Sequence, residues 1–269
     1  MSNSATSSSP AEDGPVEAHV PRVPDEWYVD FHRGLPARFW RAAGATMADA
    51  DTRLVRGLLD LPEGGSLLDV PCGDGRLAVR LAGCGYAVTG VDLAVEELER
   101  ARAAVQRVGV EARFVVGDLR ALPDVGPMDA VLSWGNSFGY LVPADTVRSL
   151  EAMHRVLNPG GRLVLESATV AESLLVGGVN PRAEHEFGGV RMTSTNRYRA
   201  AESRLESSYV FEDEDGTIEH AQAAHHVHTT GEVVRMLEGA GFRNVELLGA
   251  DGTSPYELGS RRLVAVATA

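Results

Sequence analysis

Lysine is missing from the sequence altogether: all 25 basic residues are arginine. Any mechanism built on a lysine Schiff base is thereby excluded. Cysteine is nearly missing too. Cys72 and Cys84 are too few for a disulfide framework and lack metal-site spacing, so both read as small buried hydrophobes. Basic charge is in short supply, with 38 acidic residues against the arginines and a net charge of −13. That balance opposes a polyanionic partner, because nucleic-acid affinity rests on neutralising phosphates. No apolar run reaches the length of a membrane span, and the first residues hold no apolar signal region. A cytoplasmic protein without nucleic-acid or membrane partners is expected. Aromatics make up only 6% of the chain, so their crowding into one place is informative: Trp27, Tyr28, Phe31, Phe39 and Trp40 fall together. They suit either a helix packed on the domain edge or an aromatic lid over a ligand.

What is present is a crossover unit from Ser66 to Asp92. An apolar run, Leu67 to Val70, is short enough for a buried parallel strand. The turn Pro71-Cys72-Gly73-Asp74-Gly75 follows, then a helical pattern with Leu77, Val79 and Leu81, then a second apolar run, Ala87 to Val91, ending on Asp92. Gly73 and Gly75 allow a ligand close to the backbone. The next helix directs unpaired N–H groups at the same place, and a carboxylate at the second strand's end can accept both hydroxyls of a ribose. Ala78 stands where a dinucleotide fingerprint has its third glycine, a replacement that fingerprint tolerates, so the unit alone leaves a nicotinamide dinucleotide open.

Residues 1–24, rich in serine, proline and acid, read as a disordered leader. Residues 25–62 read as a helical segment capping the site, with a helix over Ala48–Leu61 stopped by Pro62. Residues 63–168 and 229–269 carry strands alternating with helices, the fifth strand running from Arg162 to Glu166. Residues 169–228 interrupt the alternation. There, 168–182 reads as helix and loop, and Val190–Arg199, Arg204–Glu212 and Thr217–His228 read as an inserted antiparallel meander. The last two strands follow each other without a helix and should pair antiparallel. The expected fold is α/β: a Rossmann-like seven-stranded sheet with helices on both faces, an antiparallel last strand, and the inserted meander.

Five strand ends carry a polar residue, Asp69, Asp92, Asp118, Ser133 and Glu166, and ligands of open α/β sheets bind at that edge. The order Leu-Asp-Val-Pro-Cys-Gly-Asp-Gly (68–75), Gly-Val-Asp (90–92), Gly-Asp-Leu (117–119) and Leu-Asn-Pro-Gly-Gly (157–161) resembles class I S-adenosylmethionine-dependent methyltransferases. The segment Ser133–Tyr140 and the meander look like their small-molecule branch, which includes sugar-amine N-methyltransferases of antibiotic pathways and glycine N-methyltransferase. The resemblance implies S-adenosylmethionine as cofactor, S-adenosylhomocysteine as product, no metal, and a small-molecule acceptor with nitrogen and oxygen both open. A homo-oligomer is left open. It implies that Asp92 holds the ribose diol, and that Asp118 and the Leu119 N–H meet the adenine. Gly73, Gly75 and Ser133, Trp134 and Asn136 would line the methionine portion, with Asp69 and Leu93 completing the cofactor site. Two other classes stay open: an NAD(P)-dependent oxidoreductase and a non-catalytic cofactor-binding sensor.

Tyr28, Glu166 and His226 are the candidate catalytic residues, and Phe31, His32, Tyr140 and Arg191 the candidate acceptor contacts. Glu166 ends a strand at the crevice, with a buried hydrogen-bonded role as its alternative. On a strand, His220, His226 and His228 would share a face while His225 points away. Two histidines at i and i+2 without a carboxylate make a poor metal site; these histidines read first as filling the surface of an edge meander, with His226 the reserve base for a hydroxyl acceptor. Arg191, Arg197 and Arg199 alternate onto one face and suit an acidic substrate or plain solvent.

Overall fold

The computed structural model describes residues 22–269. Five apolar runs form parallel strands: β1 (Ser66–Asp69), β2 (Ala87–Asp92), β3 (Ala112–Val116), β4 (Met128–Ser133) and β5 (Leu157–Ser167). Four more, β6 (Arg182–Phe187), β7 (Val190–Arg199), β8 (Arg204–Asp213) and β9 (Ile218–His226), make a separate antiparallel sheet in that order. The chain then returns as β10 (Arg243–Leu248) and β11 (Leu263–Thr268), completing a seven-stranded sheet ordered β10-β11-β5-β4-β1-β2-β3. β11 runs antiparallel to both its neighbours.

Strand alternation divides the large sheet's side chains between two cores. Leu67, Ala130, Leu132, Val164 and Val264 face one side, where Val55, Leu81 and Leu98 cover them. Leu68, Val131, Leu163, Leu165 and Ala265 face the other, under Leu150, Val233 and Leu237. The covering helices are α2 (Gly34–Leu59), α3 (Ala78–Ala82) and α4 (Val95–Val108) on the first face, and α5 (Pro143–Val156) and α7 (Thr230–Gly239) on the second; α1 (Tyr28–Phe31) and α6 (Ala171–Leu174) are single turns. Burial on both faces is why these strands read as continuous apolar runs.

Helix α2 begins fourteen residues before the expected Ala48, because its first half has its own partner. Leu35 and Phe39 pack with Val190, Met192 and Phe211 of the small sheet, while Val55, Leu58 and Leu59 pack on the large one. Its start is supported by Pro36, which needs no N–H partner in the first turn, and by the Glu219 carboxylate, which accepts from the Leu35 N–H at 3.0 Å. The small sheet has a fourth strand, β6, in the stretch between the expected helix and loop and Val190, where no strand was expected. β6 is an edge strand of mostly exposed polar residues and so shows no apolar alternation. β5 starts at Leu157, ahead of the expected Arg162, and its register against β4 shifts between Met128 and Ala130. β9 ends at His226, so His226 and His228 do not share a strand face.

Most of the expected leader, residues 1–21, lies outside the described residues; 22–24 do not fit that reading. Val23 is fully buried, its N–H donating to Glu206 Oε1 and its carbonyl accepting from Arg204 Nη2. Among the described residues no helix is long and apolar enough to cross a membrane.

Candidate active site

The carboxyl ends of β1, β2 and β4 open into a cleft of about 1230 Å³, mouth included, which α1 and α2 cover from the other side. At its floor the turn after β1 is fixed to β2. The Cys72 N–H donates to the Val91 carbonyl at 3.0 Å, and the Gly73 N–H donates to Asp92 Oδ2 at 2.7 Å. The Ala94 N–H holds Asp92 Oδ1 at 2.8 Å, so two backbone donors orient this carboxylate while its remaining lone pairs stay available. Gly73 has φ +54° and open space where a Cβ would stand, a backbone surface that a ligand can approach closely. Gly75 differs. A Cβ there would come within 2.8 Å of Ala101 Cβ, and the residue does not line the cleft; it lets α4 and β3 pack against the turn.

Leu93, Asp118, Leu119 and Trp134 line the cleft as expected of cofactor contacts. The Asp118 carboxylate is already engaged by Arg120, whose Nη2 lies 2.6 Å from Oδ2, and these bonds hold its pKa below the usual carboxylate value. Arg120 also reaches Glu26 at 2.9 Å, tying the segment before α1 to this end of the cleft. The Trp134 ring lies 5.1 Å from the Arg262 guanidinium. Asp69, Ser133 and Asn136 lie off the cleft. Asp69 is buried under the turn and desolvation raises its pKa to about 7. Ser133 faces a small void beside Phe138 and Leu150. Asn136 holds the loop after β4, its Oδ1 accepting from the Ala168 N–H at 2.8 Å.

Of the expected catalytic residues, only Tyr28 lines the cleft, and its ring stacks on Tyr140 at 6.2 Å. Glu166 does not. Its Oε2 accepts from the Gly135 and Asn136 N–H groups at 3.0 and 2.9 Å, and Arg262 lies 3.9 Å from Oε1. It is a buried anchor for the loop carrying Trp134, because the strand end turns its side chain under the cleft and not into it. His226 is also outside. The charges acting on its imidazole are those of Arg204, Asp25, Arg22 and Glu202, on the far side of the small sheet's end. His225 and His228 are buried instead of filling a surface; His225 packs on Trp27 and Tyr140, and His228 on Phe138. Among the described residues no group of three metal-ligating side chains occurs.

His32 and Tyr140 line the cleft, whereas Phe31 packs behind it between Trp27 and Tyr209. Arg191 is exposed on the small sheet between Glu184 and Glu212, at 3.9 and 3.7 Å. Sequence reasoning missed two arginines that line the cleft. Arg41 pairs with Glu97 at 2.8 Å, and Arg76 pairs with the buried Asp51 at 3.0 Å. Arg76 directly follows the glycine turn, and Glu97 is a charge on the buried face of α4; those were the available signals.

Residues 67–161 match the profile of a family described as the methyltransferase domain. That stretch, from the first strand of the large sheet to the turn inside the fifth, is a methyltransferase domain by this match. It is 33% identical over 145 residues to 27-O-demethylrifamycin SV methyltransferase of Amycolatopsis mediterranei (strain S699), covering 52% of this chain and 51% of that protein. The chain thus spans about half the length of that curated relative. Among solved structures, an S-adenosylmethionine-dependent methyltransferase from Clostridium acetobutylicum ATCC 824 superposes with a TM-score of 0.70 at 16% identity, covering 84% of this chain and 91% of that one. CalS10, an amino pentose methyltransferase from Micromonospora echinaspora, superposes with a TM-score of 0.64 at 23% identity, covering 85% and 94%. At these identities the structural likeness speaks for the fold, which is the methyltransferase sheet described above.

Proposed function

We propose that this methyltransferase binds S-adenosylmethionine along the ends of β1, β2 and β3 and methylates a small molecule held beneath α1. The observation that carries this reading is Asp92. Its carboxylate is fixed by two backbone N–H groups beside the open Gly73 backbone, as a ribose site requires, and the cleft continues from it to an aromatic cover. The cofactor supplies a methyl group made electrophilic by the sulfonium. The protein's part is to orient: Asp92 toward the ribose diol, Leu93 and Leu119 against the adenine, and the Asp118–Arg120 pair at the ring's edge. Tyr28 and Tyr140 would exclude water above the acceptor, and an acceptor held in line gains most of its rate from that placement. Residues 25–62 and 169–228 are the segments that shape the acceptor side in this reading, because both are additions to the crossover pattern and additions carry specificity. Kinship with a rifamycin methyltransferase and structural likeness to an amino pentose methyltransferase favour a role in secondary-metabolite synthesis.

Calorimetry with S-adenosylhomocysteine tests the site. Wild-type protein should bind it, and Asp92→Ala should weaken binding about ten- to a hundredfold, the cost of losing charge-assisted hydrogen bonds. NAD and NADP, run alongside, should give no heat. Unchanged affinity in the variant would remove Asp92 from the ribose site. A bound cofactor with no transfer to any acceptor would favour the sensor reading.

A further inference from the structure

Three large apolar side chains that line the cleft are also exposed at its mouth: Val29 at 42%, Trp40 at 39% and Leu93 at 37%. Exposed apolar surface gathered at a cleft marks what the cleft receives. Within, each carboxylate accepts at least one hydrogen bond, and two of the four are paired with arginines. Asp92 holds two backbone N–H groups, Asp118 holds Arg120, Glu97 holds Arg41, and Asp74 accepts from the Arg76 N–H at 3.3 Å. Of the cleft-lining polar side chains that make no side-chain hydrogen bond, Tyr28, Ser137, Tyr140 and His32, only His32 carries a basic nitrogen. It has no hydrogen-bond partner among the described residues, and its ring is held edge-on by Phe31 at 5.2 Å.

We infer that the acceptor is an apolar molecule presenting a hydroxyl, with its body on Val29 and Trp40, and that His32 is the base that takes the hydroxyl proton. This rests on the methyltransferase reading above. The step balances on these groups. An oxygen lone pair forms the new bond to the methyl carbon, the carbon–sulfur electron pair stays on sulfur as a thioether, and the hydroxyl proton passes to the His32 imidazole and then to water. A hydroxyl needs such a base, whereas an amine needs only to lose its proton beforehand. The electrostatics agree. Burial lowers the His32 pKa below the ordinary imidazole value, the Asp92 carboxylate opposes that shift, and the Arg41–Glu97 pair across the cleft is internally neutralised. The imidazole is therefore an unprotonated acceptor at neutral pH.

The experiment uses the full chain with 2-naphthol, 2-naphthylamine and glucosamine as probes. S-adenosylhomocysteine binding is measured first by calorimetry; its failure would overturn the methyltransferase reading itself. In the S-adenosylhomocysteine complex, 2-naphthol should then bind at least tenfold more tightly than glucosamine, and Trp40→Ala should remove about tenfold of that affinity. With S-adenosylmethionine, 2-naphthol should be methylated on oxygen, faster than 2-naphthylamine on nitrogen. His32→Gln should cut that rate about a hundredfold or more, abolish the acid limb of the pH profile and leave 2-naphthol affinity within threefold. Added imidazole should partly rescue His32→Ala. Tighter glucosamine binding, no transfer to 2-naphthol, preferential methylation of the amine, or a wild-type pH profile in His32→Gln would each overturn the inference while leaving cofactor binding intact.

Discussion

Two buried titratable side chains near the cleft have pKa values displaced in opposite directions, and their effects on stability oppose each other. Desolvation raises Asp69 to about 7 and lowers His225 to about 4. For Asp69 the native state holds its proton longer than the unfolded chain, so its contribution is complete below the unfolded value near 3.8 and is lost as pH rises to 7. For His225 the native state resists protonation, so its contribution is complete above the unfolded value near 6.5 and is lost as pH falls to 4. At most these are worth on the order of 4 kcal/mol for Asp69 and 3 kcal/mol for His225. Between pH 4 and 6.5 the two slopes cancel in large part. Asp69→Asn should therefore give unfolding free energies that rise with pH across this window relative to wild type, and His225→Gln ones that fall. Urea unfolding at four or five pH values checks both signs; parallel curves for wild type and variants would show that neither group titrates as its burial requires. Residue roles were only partly legible in the sequence. Asp92 could be read because a strand end with a carboxylate beside a glycine turn has few uses. Glu166 matched the same pattern, yet its side chain was taken up by the Gly135 and Asn136 N–H groups, and no sequence spacing shows which way a terminal side chain turns.

At the scale of elements, the glycine turn after β1 separates two uses of one residue type. Both glycines have positive φ, +54° at Gly73 and +75° at Gly75, so alanine strains the backbone at either by roughly 1–2 kcal/mol. Gly73 has free space around its missing Cβ and faces the cleft, so Gly73→Ala should cost little further stability and appear mainly as weaker S-adenosylhomocysteine binding. At Gly75 the added methyl meets Ala101 and the Phe114 ring, an overpacking that adds roughly 1–3 kcal/mol. Gly75→Ala should thus lower the denaturation midpoint more than Gly73→Ala while perturbing ligand affinity less. Calorimetry and urea titration of the two variants together test the assignment, and a reversal of the order would exchange the two roles. The parallel strands were legible because burial on both faces leaves an unbroken apolar run. β6 was not, since an edge strand carrying Arg182, Glu184, His185 and Glu186 is held by its backbone ladder to β7 and needs no apolar face. The first half of α2 was missed for a related reason: its buried face meets the small sheet, and its residues repeat less regularly than the Leu54–Leu59 stretch.

Taken whole, the molecule keeps its cleft covered on one side by fastening the segment before α2 to both sheets. Glu26 ties it to Arg120 at the large sheet. Val23 and Asp25 tie it to Arg204 in the small sheet, at 2.6 and 3.2 Å. Trp27 and Phe31 complete the second attachment by packing on Ala223 and Ala224 of β9. Arg204 is only 1% exposed, and its neighbour Glu206 is bonded to the Val23 N–H and to Arg199. Without Arg204, Glu206 keeps Arg199 and Asp25 keeps water, but the Val23 carbonyl loses its donor, a cost of about 1–3 kcal/mol for a buried acceptor. Arg204→Met keeps the length of the side chain but removes the charge that holds Asp25 and the Val23 carbonyl. The expected outcome is a loss of that order, concentrated where the cover is attached. Hydrogen exchange should accelerate over residues 22–33 and at the paired ends of β8 and β9, while β1, β2, β4 and β5 keep their protection. The cover carries Tyr28 and His32 but none of the carboxylate that would hold the ribose. S-adenosylhomocysteine affinity should therefore fall far less than in Asp92→Ala, and transfer to the acceptor far more. If exchange accelerates evenly across both sheets, Arg204 stabilises the fold as a whole and the cover has no latch of its own.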